Sequence, residues 1–181
     1  MNSLARSLSE GRWGLERARE IARDVVSRRS AVKALVSAMF GEEPELRKRA
    51  SDVAHRVTDI DVALLRPYAD ELAGLLAETQ PEESRTLWHL GLVVSRTAHT
   101  REQRLRAARM MQVQLENESN VARCSAVEGL GLLASEEPEL YDIASELIEK
   151  ALRDGTLAMK ARARHAKRRL EDARKRAGDL G

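Results

Sequence analysis

A single cysteine, Cys124, stands among 181 residues. An internal disulfide and a cysteine-built metal cluster are therefore both excluded. Aromatic side chains are almost as scarce: Trp13, Phe40, Tyr68, Trp88 and Tyr141 are the whole set. A core must then be assembled from Leu, Ala, Val and Met, the usual material of helical arrays. No apolar run approaches the length that crosses a bilayer. Residues 1–11 lack the basic-then-apolar design of a secretion signal. The chain reads as cytoplasmic, with no membrane partner. There is no Walker loop, no GxGxxG after a strand, no HExxH and no acidic calcium loop. No cofactor is implied, and an enzyme is not the expected class. No stretch shows β-like alternation.

What is present is charge, on 33% of residues, around a hydrophobic fraction of 43%. The length suits one domain. The net charge of +2 is unevenly spread: residues 1–34 carry +4, residues 35–155 carry −8 and residues 156–181 carry +6. An acidic middle between basic ends argues against a uniform nucleic-acid groove.

Four segments repeat one pattern, a basic residue followed by small or apolar residues three, six and ten positions later. They run Arg47, Ala50, Val53, Val57; Arg85, Trp88, Gly91, Ser95; Arg123, Ala126, Gly129, Leu133; and Lys160, Ala163, Ala166, Leu170. Their starts lie 38, 38 and 37 residues apart. Those offsets trace one face of an α-helix. The other half of each period is also helical by spacing: Val32, Leu35, Met39; Leu64, Leu65, Tyr68, Leu72, Leu75, Leu76; Leu105, Ala108, Met111, Leu115; and Leu140, Ile143, Ala144, Leu147, Ile148, Ala151. Polar connectors such as Gly41-Glu42-Glu43-Pro44 and Glu78-Thr79-Gln80-Pro81 separate the halves. Leu15, Ala18, Ile21, Ala22 and Val25 predict a capping helix over about 10–28, before repeats at about 30–58, 61–97, 100–135 and 137–175. Lys167 falls in the register of Ala54, Leu92 and Leu130, so the array is expected to end there. The Gly and Ser residues within 1–11 and 177–181 suggest fraying.

The expected fold is all-α: one right-handed α-α superhelix, a solenoid of about four helix pairs with an N-terminal capping helix. The chain resembles the HEAT-repeat, armadillo-type family, and is similar to small bacterial HEAT-repeat proteins. The resemblance is carried by Leu64 to Leu133, chiefly the stretches from Leu65 to Leu72, Thr86 to His89 and Ala122 to Leu130. It implies a protein-binding scaffold, since that family mostly supplies such scaffolds and only a minority of members bind nucleic acid or catalyse reactions. It also implies a linking side chain six residues before each basic marker. Gly41, Thr79, Asn117 and Asp154 occupy those positions, and only the last two have a side chain suited to it.

The concave face of a solenoid is its natural binding surface. The register places Lys48, Ser51, Asp52, His55 and Arg56 there, followed by Thr86, His89, Val93, Ser125, Glu128, Leu132, Ala161, Arg164, His165 and Arg168. The residues expected to contact a partner are Lys48, Asp52, His55, Arg56, His89, Glu128, Arg164 and Arg168. That mixed face suits a protein segment supplying both charge signs. Nucleic acid is the alternative partner, held by the basic stretch from Lys160 to Arg176, which lacks aromatics for base stacking. A metal site can be drawn from Asp52, His55 and His89, but two solvated imidazoles on a polar face are the expected reading, so no metal is assigned. Trp88 takes the buried register of Ala50, Ala126 and Ala163, which favours core packing over a groove anchor. Cys124 opens a helix, where the dipole can lower a thiol pKa, yet an inert small residue is the simpler reading. Gly129-Leu130-Gly131 lies inside a helix and points to close helix approach.

Overall fold

A computed structural model describes residues 3–178. Among the described residues the chain is all-helical: ten α-helices, three single 3-10 turns and no strand. No helix is long and apolar enough to cross a membrane. The helices are α1 (Ser3–Ser9), α2 (Leu15–Ser27), α3 (Ala31–Met39), α4 (Pro44–Ile60), α5 (Ala69–Glu78), α6 (Ser84–Thr97), α7 (Arg101–Leu115), α8 (Asn120–Glu136), α9 (Tyr141–Asp154) and α10 (Leu157–Gly178).

Local chemistry explains where they begin. Pro44 takes the first turn of α4, where its missing N–H costs nothing. Thr100 and Gln103 form a capping box on α7, each side chain accepting the other's backbone N–H. Pro67 and Pro138 each sit in a 3-10 turn, so α5 starts at Ala69 and α9 at Tyr141. The helical stripe expected from Leu64 thus begins later: Val62–Leu64 and Arg66–Tyr68 form two separate 3-10 turns, and the α-helix starts only at Ala69. Gly11 joins α1 to α2 at φ +79, a conformation that favours glycine. Residues 3–9 are helical with Leu4 and Leu8 buried, which corrects the expected fraying there. The same expectation for residues 1–2 and 179–181 lies outside the described residues.

The even-numbered helices touch in chain order, α2 on α4, α4 on α6, α6 on α8 and α8 on α10, and each odd-numbered helix from α3 to α9 packs on the helix that follows it. The seam between even-numbered helices is lined by small residues. Ala50, Ala126 and Ala163 are fully buried. A Cβ on Gly129 would lie 2.6 Å from Ser95 Oγ and 2.7 Å from Met111 Sδ, and one on Gly131 would lie 2.6 Å from Ala166 Cβ and 2.9 Å from its Cα. Both glycines therefore serve close helix approach. Lys167 is half-exposed and pairs with Glu149 of α9, while Ala54, Leu92 and Leu130 in the same register are buried.

Polar links tie neighbouring pairs together. Arg47 donates to Gly41 O at 2.9 Å and forks onto the Glu83 carboxylate at 2.7 and 2.9 Å. Arg123 likewise donates to Asn117 O. The position six residues before these two arginines therefore offers its backbone carbonyl. Of the two linking side chains anticipated, Asn117 does reach the preceding connector, donating to Pro81 O at 3.4 Å. Asp154 instead faces its neighbour Arg153.

Two alanine substitutions test this packing with opposite signs. Gly131→Ala should destabilise the fold by about 1–3 kcal/mol, since the Ala166 backbone cannot yield to the new methyl. Gly74→Ala, in an exposed turn of α5 with nothing within 4 Å, should stabilise it by about 0.5–1 kcal/mol. Urea denaturation of both variants measures the pair.

Candidate functional site

A cleft of about 680 Å³ opens along α4 and α6, closed at one side by the segment before α2 and at the other by Glu128 of α8 and Arg162 of α10. Lys48, Asp52, His55, Arg56, His89 and Glu128, all anticipated for a binding face, line it. Arg164 and Arg168 do not; they are exposed elsewhere on α10, and Arg162 is that helix's contribution. Ser51, Thr86, Val93 and Ser125, placed on the same face by register, are buried between helices. Ser125 Oγ there donates to Trp88 O at 2.8 Å, joining α8 to α6. A larger hollow of about 1010 Å³ lies between the end of α5 and the start of α8, but it gathers no cluster of titratable groups comparable to this one.

Trp88 corrects the core-packing expectation. It is half-buried, lines the cleft, and stacks on the His89 ring with centroids 4.3 Å apart. An indole is too large for the alanine seam, so the ring turns toward the opening. Burial raises the Cys124 thiol against the nearby Arg162 and Arg123 and together with Glu128, which suits the inert residue expected there better than a reactive thiol.

The polar centre of the cleft is Asp52. Its Oδ1 accepts from Arg56 Nε at 3.2 Å, and its Oδ2 accepts from Trp13 Nε1 at 3.2 Å. His89 Nδ1 lies 3.7 Å from Oδ1. Trp13 itself is held by Arg49, whose guanidinium sits 5.2 Å over the ring and donates to Leu8 O and Ser9 O. Beside Asp52, His55 Nδ1 and His89 Nδ1 face each other at 3.2 Å, and both residues are buried. One nitrogen must carry the proton and the other accept it, so the two neutral rings hold opposite tautomers.

Electrostatics keep them neutral. Burial pushes His55 down to about 2, helped by the positive charges of Arg56 and Arg96. Burial also lowers His89, to about 4, where the Asp52 carboxylate partly opposes the shift. Around this pair the cleft carries six basic side chains against four acidic ones. Arg56 and Arg96 share Asp59, and Arg162 donates to Glu128 at 3.0 Å. Arg85 is exposed and has no ion pair or hydrogen bond among the described residues. Asp52, His55 and His89 each offer one ligand atom, all within 4.8 Å of one another.

Trp13, Asp59, Arg96 and Arg162 are cleft residues that the repeat register did not single out, and Arg85, the marker of the second repeat, was not placed on the binding face. One signal was available for Arg162. The pairs His55–His89 and Glu128–Arg162 both span 34 residues, so one offset bridges adjacent even-numbered helices twice. Comparison with protein-family models, curated proteins and solved structures finds no significant match to this chain.

The histidine pair makes stability pH-dependent. Both pKa values are depressed from 6.5, so on acidification the unfolded chain takes up protons before the folded one. The stability they permit is complete above about pH 6.5 and falls by roughly 1.4 kcal/mol per pH unit and per histidine below it. Urea midpoints should therefore drop between about pH 7 and about pH 5, and the His55→Gln/His89→Gln double variant should flatten that slope.

Proposed function

We propose that the chain is a non-catalytic binding module that takes a segment of a partner protein in this cleft. On this reading the fold is a right-handed α-α superhelix of about four HEAT-like pairs behind a capping helix, and the cleft is its inner face. The chain-order contacts of the even-numbered helices support the superhelix. The observation that carries the binding role is that Trp88, with its ring partly open, and Arg85, an exposed cation without a partner among the described residues, line the same cleft three residues apart on α6. Tryptophan and arginine are among the residue types that most often carry the binding energy of a protein interface. The arginine calls for a carboxylate on the partner, and the ring calls for an apolar side chain next to it. The surrounding paired charges then select register more than they add affinity.

A second reading rests on α10. Arg164, Arg168, Arg169 and Lys175 are exposed and unpaired among the described residues, which suits phosphate contacts. Retention on duplex DNA or RNA that falls steeply with salt, and disappears in Arg164→Gln/Arg168→Gln/Arg169→Gln, would favour it over the cleft.

Capture from native extract tests the main reading when four proteins are compared. Wild type and Lys33→Glu, altered at an exposed site on α3 away from the cleft, should retain the same partner. Arg85→Glu and Trp88→Ala should lose it, with about 2 kcal/mol or more lost when the purified partner is titrated against Trp88→Ala. Equal capture by all four overturns the cleft as the docking surface.

A further inference from the structure

We propose that Asp52, His55 and His89 bind one divalent transition-metal ion of the zinc class at the floor of the cleft. The inference goes beyond the partner-binding reading and stands or falls separately from it. Donor chemistry sets the class. Two imidazoles and one carboxylate are a mixed nitrogen and oxygen set, suited to zinc and its neighbours and poorly suited to magnesium or calcium, which take oxygen ligands.

The geometry is already close. Around an ion with bonds of about 2.0–2.1 Å, tetrahedral ligand atoms sit roughly 3.3 Å apart. The two Nδ1 atoms are 3.2 Å apart, and His89 Nδ1 is 3.7 Å from Asp52 Oδ1. All three ligand atoms lie within 4.8 Å of one another, so closing on an ion takes small side-chain movements and no shift of a helix. The ion would take the place of the proton between the two Nδ1 atoms. The ring that carries Nδ1–H shifts to its Nε2–H tautomer, so both Nδ1 lone pairs face the ion, both rings stay neutral and no net proton is released.

Ligand orientation is also prepared. Trp13 and Arg56 hold the two Asp52 oxygens from opposite elements, the kind of outer hydrogen bonding that fixes a ligating carboxylate. The His55 and His89 side chains are buried, which limits their rotamers. The nearby guanidiniums oppose a bare cation: Arg56 and Arg96 share Asp59 and Arg162 pairs with Glu128, while Arg85 has no carboxylate partner among the described residues. Their surplus positive charge favours an anion in the remaining coordination position, which opens on the cleft that all three ligands line.

The full chain, stripped with a chelator and reloaded with zinc or cobalt(II), decides the matter. Native mass spectrometry should show one ion per chain, and the cobalt form should develop visible d–d absorption with nitrogen ligation. Long-range ¹H–¹⁵N spectra of the wild type should move both Nδ1 resonances of His55 and His89 on adding zinc, a readout that depends on no variant. His89→Gln and Asp52→Asn should weaken binding by more than about tenfold, whereas Cys124→Ser and His165→Gln should leave it unchanged. No retained ion, binding lost with Cys124 or His165, or Nδ1 resonances that stay in place would each overturn the site.

Discussion

Helix α8 touches α6 on one side and α10 on the other, and glycine allows both contacts to close. Any side chain at Gly131 would meet the backbone of Ala166, and any at Gly129 would meet Ser95 and Met111. Helix separation at such contacts is set by the side chains between the axes, and small ones bring the axes together. That spacing has consequences on the polar edge of the seam. Groups from different helices come within hydrogen-bond reach, as Ser125 does with Trp88 and Arg162 does with Glu128. Larger residues in the seam would leave the same polar groups facing water between more distant helices.

Asp52 shows the same spacing used for a buried charge. A carboxylate out of water is tolerable only with partners, and this one draws them from three elements. Trp13 comes from the segment before α2, Arg56 from α4 itself, and His89 from α6. The N-terminal segment is thereby tied to the cleft. Arg49 reinforces it, stacking on Trp13 while holding the carbonyls at the end of α1. The capping helices and the candidate site are one hydrogen-bonded unit, so the electrostatics of the cleft depend on how the N-terminus docks.

Helical spacing alone made the all-α class legible, because Leu140, Ala144, Ile148 and Ala151 fall at intervals that only a helix puts on one face. The purpose of Gly129 and Gly131 was legible for a related reason: glycine inside a helix is costly unless something comes close. Register also grouped Asp52, His55, His89 and Glu128. It failed where side-chain size or helix offset mattered. Trp88 shares its register with three buried alanines but cannot fit where they fit, so it turns to the opening. Arg164 and Arg168 were placed by a marker at Lys160, yet it is Arg162, 34 residues after Glu128, that reaches the cleft. Trp13 belongs to no repeat, and nothing in periodicity says which carboxylate its indole meets.

The composition of the cleft floor is harder to explain by folding alone. Elsewhere along the same helices the buried side chains are mostly Ala, Val and Leu, with small hydroxyls such as Ser51, Ser95 and Thr97 bonded to their own helix backbone. An apolar trio in place of Asp52, His55 and His89 would satisfy the seam without desolvating a carboxylate and two imidazoles. Burial has instead depressed both histidines, which is free energy withheld from stability below neutral pH. Part of that cost is offset by the hydrogen bonds from Trp13 and Arg56 and by the proton shared between the rings. The arrangement nonetheless leaves Arg85 without a partner among the described residues and the Trp88 ring partly open at the same rim. Groups that are costly to bury and groups left uncommitted meet in one place. Folding gains least from such a combination, and a ligand that completes the coordination or the charge pairing gains most.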